Sequence, residues 1–261
     1  MKRIKTILTM GFFATLFACG QNKSNNSVPD NMETSPITKP VENITATKDQ
    51  IERRAKSEEL CKLKNIPIYK NPNSLFVEPE DKVTIRTKDE IVDRALALCY
   101  LGLKSEGLEQ SQLDKMDKDY NITAKLTENE KLYATSKFPS EQQKIDANWR
   151  YESLHIMLWA LGYIDKLNFP DQMCNVGDDV KIIYELKEQK FRLNAKMRTK
   201  KEILDQADLI LRLNWACVNA RIKNENSPSG LNSSVVYERH YSLNWLIEFM
   251  NQDWDKVTTD T

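Results

Sequence analysis

The chain predicts an all-α protein, with a single globular multi-helix domain spanning residues 48–261. Three observations predict it. Glycine is scarce, at 7 in 261 residues, and helical apolar spacing dominates from Lys48 onward. Capping boxes recur: Thr87 with Glu90, Thr127 with Glu130, Ser140 with Gln143 and Thr199 with Glu202 each precede a helical run. In that pattern the N-cap hydroxyl and the side chain three residues on satisfy each other's backbone N–H groups at a helix start. Lastly, about 210 residues without a repeat or a second linker suit one hydrophobic core.

Ahead of the domain, residues 1–18 read as an export signal. Lys2, Arg3 and Lys5 make a basic start, and an uncharged apolar run follows from Ile7 to Ala18. At about 1.5 Å per residue the run is too short for a hydrocarbon core of roughly 30 Å, so it is a signal core and not a spanning helix. It closes on Leu16-Phe17-Ala18-Cys19, which resembles the bacterial lipobox, with a bulkier residue at Phe17 than is usual there. The resemblance implies lipidation of Cys19, with a diacylglycerol on its thiol, cleavage before it and acylation of the new amine. Several acyl chains at about 0.8 kcal/mol per buried methylene make a stable membrane anchor, where a single chain is marginal. The alternative is an ordinary secretory signal with an incidental Cys19.

Gly20 is not the aspartate that often retains lipoproteins in an inner membrane. The expected location is therefore the cell envelope, lipid-anchored, at an outer membrane facing the periplasm in a two-membrane cell. From Gly20 to Thr47 the chain is mostly Asn, Ser, Thr, Pro and Lys, too polar to offset its ordering entropy. Residues 19–47 are read as the lipidated cysteine and a disordered tether, with a typical end-to-end distance of about 30 Å.

Within the domain, Ile51, Ala55, Leu60 and Leu63 predict a first helix, stopped at Asn65-Ile66-Pro67 because a residue before proline avoids helical angles. Residues 68–86, interrupted by Pro72 and Pro79 but carrying the alternating Val83-Thr84-Ile85, read as loop with a small β-hairpin. The longest helix opens at Ser140 and ends near Gly162, a natural stop. Ser234 is the expected cap of a last helix that reaches about Met250.

Charge and cysteine usage bound the function. The full chain carries 38 basic and 38 acidic residues, and losing Lys2, Arg3 and Lys5 with the signal leaves 35 against 38. A near-neutral exported domain has no concentrated basic face for nucleic acid. Beyond Cys19, the cysteines Cys61, Cys99, Cys174 and Cys217 allow three disulfide pairings in an oxidising compartment. They equally fit buried free thiols, and none forms a Cys-x-x-Cys pair.

Polar residues on apolar helix faces mark the candidate site. On the Ser140 helix, Arg150 falls inside a stripe of Leu154, Met157, Leu158 and Leu161, and Glu152 lies among Ile145, Trp159 and Tyr163 on the other side. On the last helix, Arg239 and His240 flank a stripe of Val236, Leu243, Ile247 and Met250. On the Thr199 helix, Asn214 sits at the centre of Ala207, Ile210, Leu211 and Val218, and Asp205, Asp208 and Arg212 fall opposite as an expected solvated salt-bridge row. One reading gathers Arg150, Arg239 and Asn244 around a small anionic ligand, with Glu152, Glu238 and His240 as candidate acid–base groups. The other is a buried structural network, with the arginines on Glu152, Glu238, Asp255 or Asp260.

Other chemistries find little support. Glu152-x-x-His155 has the spacing of a di-metal carboxylate bundle, but a second such pair is missing because Tyr237 stands three residues before His240. Neither a metal site nor a cofactor is expected. No Gly-x-Ser-x-Gly elbow and no glycine-rich phosphate loop occurs.

Four stretches, in order, carry a family resemblance. They are Trp149-Arg150-Tyr151-Glu152 running on to Leu158-Trp159-Ala160-Leu161-Gly162, and Met197-Arg198 with Glu202-Ile203-Leu204-Asp205. Tyr237-Glu238-Arg239-His240-Tyr241 follows with Leu243-Asn244-Trp245-Leu246, and then Trp254-Asp255 with Thr259-Asp260-Thr261. Together they resemble the bacterial domain-of-unknown-function family DUF4272, across roughly Arg53 to Thr261. The resemblance implies one domain whose last residues belong to the fold, and a leader added to a domain often found without one. It brings no activity with it. The expected function is a membrane-tethered binding or interaction domain that contacts a protein partner or small anionic ligand. The alternative is a hydrolase using Glu and His.

Overall fold

The computed structural model describes residues 45–71 and 76–260. The signal segment 1–18, the lipidation residue Cys19 and the tether up to residue 44 lie outside the described residues, as do 72–75 and Thr261. Eight α-helices follow one another: α1 (Lys48–Leu63), α2 (Lys88–Ser105), α3 (Gln110–Tyr120), α4 (Glu128–Thr135), α5 (Glu141–Ala160), α6 (Val176–Asn194), α7 (Lys200–Ile222) and α8 (Ser233–Leu246). Short 3-10 turns lie at Pro228–Gly230, Phe249–Asn251 and Trp254–Lys256. The fold is all-α, and none of the described helices is long and apolar enough to cross a membrane.

The helix starts are where local chemistry predicts them. Thr87, Thr127, Ser140 and Thr199 each cap a helix in a complete box with Glu90, Glu130, Gln143 and Glu202. A fifth box, Thr47 with Gln50, opens α1. α5 stops as expected. Gly162 takes φ +79°, its N–H donates to Trp159 O at 3.0 Å, and the Tyr163 N–H donates to Leu158 O at 2.9 Å. A Cβ at Gly162 would lie 2.4 Å from Lys196 O, so the turn has room only for glycine.

Helices α2 and α5 form the centre, with Ile91, Leu96 and Leu98 of α2 and Leu154, Ile156, Met157 and Leu158 of α5 fully buried. They cross closely at Gly102, where a Cβ would come within 2.4 Å of the Tyr151 ring. α8 packs on α5, α7 on α8 and α1 on α7, while α3, α4 and α6 flank α2. The segment after α8 returns to this stack. Asn244 Nδ2 donates to Thr258 O at 2.8 Å and Asn214 Nδ2 to Thr259 O at 3.1 Å, and the Tyr241 hydroxyl donates to Trp254 O.

Several expectations need correction. The hairpin near 68–86 is not formed: no strand occurs among the described residues. Its carbonyls are taken by side chains instead of a second strand. Gln50 donates to Val77 O, Arg53 to Glu78 O, and Lys200 to Glu80 O and Val83 O. The last helix is capped by Asn232, whose Oδ1 accepts from Ser234 N and Val235 N, and it ends at Leu246. Glu248 and Met250 then adopt positive φ, and Met250 is exposed and outside the core.

On α1 the buried face is Gln50, Arg53, Ser57 and Cys61, whereas Ile51 and Leu63 are exposed. That polar face covers α7, so the row Asp205, Asp208, Arg212 is not solvated. Asp208 and Arg212 are buried and paired at 2.9 Å, and Asp205 takes Lys56 at 2.9 Å. The four described cysteines are free thiols, with Cys61, Cys99 and Cys217 buried.

Candidate functional site

The candidate residues converge where α5 crosses α8, and they sort into two ion pairs. Arg150 Nη1 donates to Glu238 Oε2 at 3.1 Å, and Ser153 Oγ donates to the same oxygen at 2.8 Å. Arg239 Nε donates to Glu152 Oε2 at 3.4 Å, while its Nη1 donates to Asn168 O at 2.6 Å. The Cys174 N–H holds the other Glu152 oxygen. Each helix thus contributes one arginine and one glutamate, placed so that the charges cross over and cancel.

The two pairs differ in surroundings. Glu152 and Arg239 are 2 % and 4 % exposed. The Arg150 side chain keeps 26 % of its surface and lies over the rings of Tyr241 at 5.1 Å and Trp254 at 5.9 Å. Burial works to lower the Arg150 pKa, but Glu238 and Tyr241 outweigh it and the net shift is upward. Burial pushes the Glu238 carboxyl above the ordinary carboxylate range, against the opposing pull of Arg150 and Ser153. His240 joins neither pair. Burial drives its pKa down to about 3, which keeps it neutral, and its Nδ1 has no hydrogen-bond partner. Asn244 is occupied with the tail through Thr258 O.

The arginines do not share one pocket. Arg150 borders a hollow of about 260 Å³ with Glu130, Tyr241 and Trp254, whereas Arg239 borders another of about 290 Å³ with Lys64, Phe169 and Leu243. Glu238 lines the largest opening described, a cleft of about 1000 Å³ between the N-terminal half of α5, the ends of α7 and α8, and the tail. Trp149 and Tyr237 supply aromatic surface to it. Glu238 is already answered by Arg150, and among the other described lining residues Asp146, Glu225 and Asp260 stand against one arginine, Arg221. Both arginines of the predicted pocket are thus neutralised, and the open space is acidic. Of the cleft residues, sequence reasoning singled out only Glu238 as a site residue. Trp149 and Tyr237 enter the sequence reading as members of the family-resemblance stretches, which assign them no role.

A second polar cluster lies where α5 meets the start of α6. His155 Nδ1 bonds Asp179 Oδ2 at 2.9 Å and Oδ1 at 3.2 Å. One donor atom each of His155, Cys174 and Asp179 lies within 4.8 Å of the other two. The Cys174 thiol donates to Tyr151 O at 3.6 Å. Burial first, then the charges of Glu152 and Asp179, push the Cys174 thiol well up, so it is protonated.

The model of the domain of unknown function (DUF4272) matches residues 53–257, most of the chain. The chain belongs to this family. No curated protein and no solved structure matches it. The DUF4272 match spans α2 through α8 together with most of α1, so the ion-pair crossing and the His155 cluster fall inside the matched residues, as does the cleft apart from Thr259 and Asp260.

Proposed function

We propose that the protein is a lipid-anchored envelope lipoprotein whose DUF4272 domain is a binding module, presented on a tether, for a positively charged segment of a protein partner. The acid-rich cleft carries this reading, because Asp146, Glu225 and Asp260 line the same opening as the aromatic side chains of Trp149 and Tyr237, with Arg221 as its one lining arginine among the described residues. Carboxylates attract a cation at long range, and an aromatic face holds it at short range. About 1000 Å³ is ample for several side chains of a peptide.

The test is calorimetric titration with a tetralysine peptide at low salt, with a tetraglutamate peptide as the contrast. Binding of tetralysine is expected, weakened several-fold by Asp146→Asn, by Tyr237→Ala and by added salt. Preference for tetraglutamate would return the ligand to Arg150, Arg239 and Asn244 and sink the cationic reading. The anchor is tested separately. Palmitate labelling should mark the wild type, and Cys19→Ala should release the protein into the soluble fraction.

A second reading rests on Glu238, whose raised pKa and place in the cleft suit a general acid of a hydrolase. His240, the other acid–base candidate on α8, does not line the cleft. Loss of turnover on an amide or ester library in Glu238→Gln, with folding intact, would favour the enzyme.

A further inference from the structure

We propose that His155, Cys174 and Asp179 form a binding site for a divalent transition metal of the zinc class, with Glu152 setting the position of the cysteine. The three donors come from separate places in the chain. His155 lies on α5, Cys174 just ahead of the Asn175 cap of α6, and Asp179 in the first turn of α6. Imidazole, thiolate and carboxylate are the ligand types zinc takes, and three protein ligands with an open fourth position are the usual make-up of a reactive zinc centre.

Geometry supports the assignment. The donor atoms lie within 4.8 Å of one another, and the nitrogen–oxygen distance is already 2.9 Å. Bonds of about 2.0–2.3 Å in a tetrahedron put donors roughly 3.5 Å apart, so side-chain adjustments within the 4.8 Å that bounds the set, including an opening of the His155–Asp179 contact, bring the three onto one ion.

The surroundings are built for a cation. The Asp179 side chain is 3 % exposed and that of His155 is 12 % exposed. A carboxylate has about four acceptor positions, and the side-chain contacts described for Asp179 are the His155 nitrogen and the Cys174 thiol, the other two donors of the set. Glu152 is balanced by Arg239 and ties the Cys174 backbone to α5 through its N–H. Asp179 has no arginine or lysine among its described ion pairs. The expectation that no metal binds rested on a missing second Glu-x-x-His pair and on histidines and cysteines scattered along the chain, whereas this site is assembled in space and uses neither a second pair nor compact spacing. A Cys–His–Asp nucleophile is the competing use of the same atoms. It is disfavoured because the thiol donates to Tyr151 O and borders two carboxylates, whereas a nucleophilic cysteine needs electropositive surroundings.

The test uses the full-length protein, stripped with a chelator and dialysed against zinc or cobalt(II). One ion per chain is expected, with a thiolate-to-cobalt charge-transfer band and a zinc-dependent rise in Tm. Cys174→Ser should abolish the band, and Asp179→Asn should weaken uptake roughly tenfold or more. Cys99→Ser, a buried thiol outside the cluster, should leave the band intact. Absence of stoichiometric uptake by folded wild type, or uptake unchanged in Cys174→Ser, would overturn the proposal. Rapid alkylation of Cys174 at neutral pH in metal-free protein would overturn it in favour of the nucleophile. None of these readouts depends on the cleft.

Discussion

The two ion pairs that join α5 to α8 are built from the same residue types and do different jobs. Glu152–Arg239 is the buried version, with Arg239 only edging a hollow and with backbone partners at Cys174 N and Asn168 O. Arg150–Glu238 is the open version, with a guanidinium still partly wet and a carboxylate that lines a cleft. Burial alone separates them. An enclosed pair can only hold the helices in register, while a pair at a cleft edge can exchange one partner for a ligand.

Three measurements test that contrast, from the largest effect to the smallest. Arg239→Ala leaves Glu152 charged and enclosed, so urea unfolding should show a loss of about 3–5 kcal/mol. A loss under about 1 kcal/mol would mean that water reaches the inner pair.

His240, next to Arg239 on α8, reports how strictly that layer excludes charge. Its folded pKa of about 3 lies below the ordinary 6.5. Only the unfolded chain gains the proton between those values, so stability is fully present above 6.5 and is lost as pH falls towards 3. The slope approaches about 1.4 kcal/mol per pH unit. The substitution His240→Leu should flatten this part of the acid limb, and an unchanged limb would place the acid sensitivity elsewhere.

Arg150→Ala should cost less, about 1–2 kcal/mol, because water can replace much of what the guanidinium supplies. The same variant should raise the Glu238 pKa further. A folded-state carboxyl above its ordinary 4.5 binds a proton that the unfolded chain releases, so stability falls as pH rises through that window. Glu238→Gln should remove the fall. If Arg150→Ala and Arg239→Ala prove equally damaging, the distinction between the pairs fails.

How much of this was legible depended on the range of each interaction. Thr87, Thr127, Ser140 and Thr199 were readable as caps because a box closes within three residues. Asn232 and Ser234 are both residue types that cap helices, and only the backbone angle at Asn232 decides between them. The Asp208–Arg212 row was assigned to solvent because periodicity separates the two faces of α7 and does not say that α1 covers the second. Periodicity places Arg150 and Glu152 as polar groups on apolar faces, but their partners lie more than eighty residues away on α8. The His155 cluster was half visible in Glu152-x-x-His155, whereas its cysteine and aspartate come from the approach to the next helix and from its first turn.

The sequence by itself determined the all-α class, four of the eight described α-helix starts, the stop at Gly162 and the family, because these depend on contacts within a turn or on the order of motifs along the chain. Tertiary structure alone decided which charges cancel, which carboxylates face open space and which donors meet at His155. Those outcomes depend on how helices distant in sequence cross, and on how much water each crossing leaves.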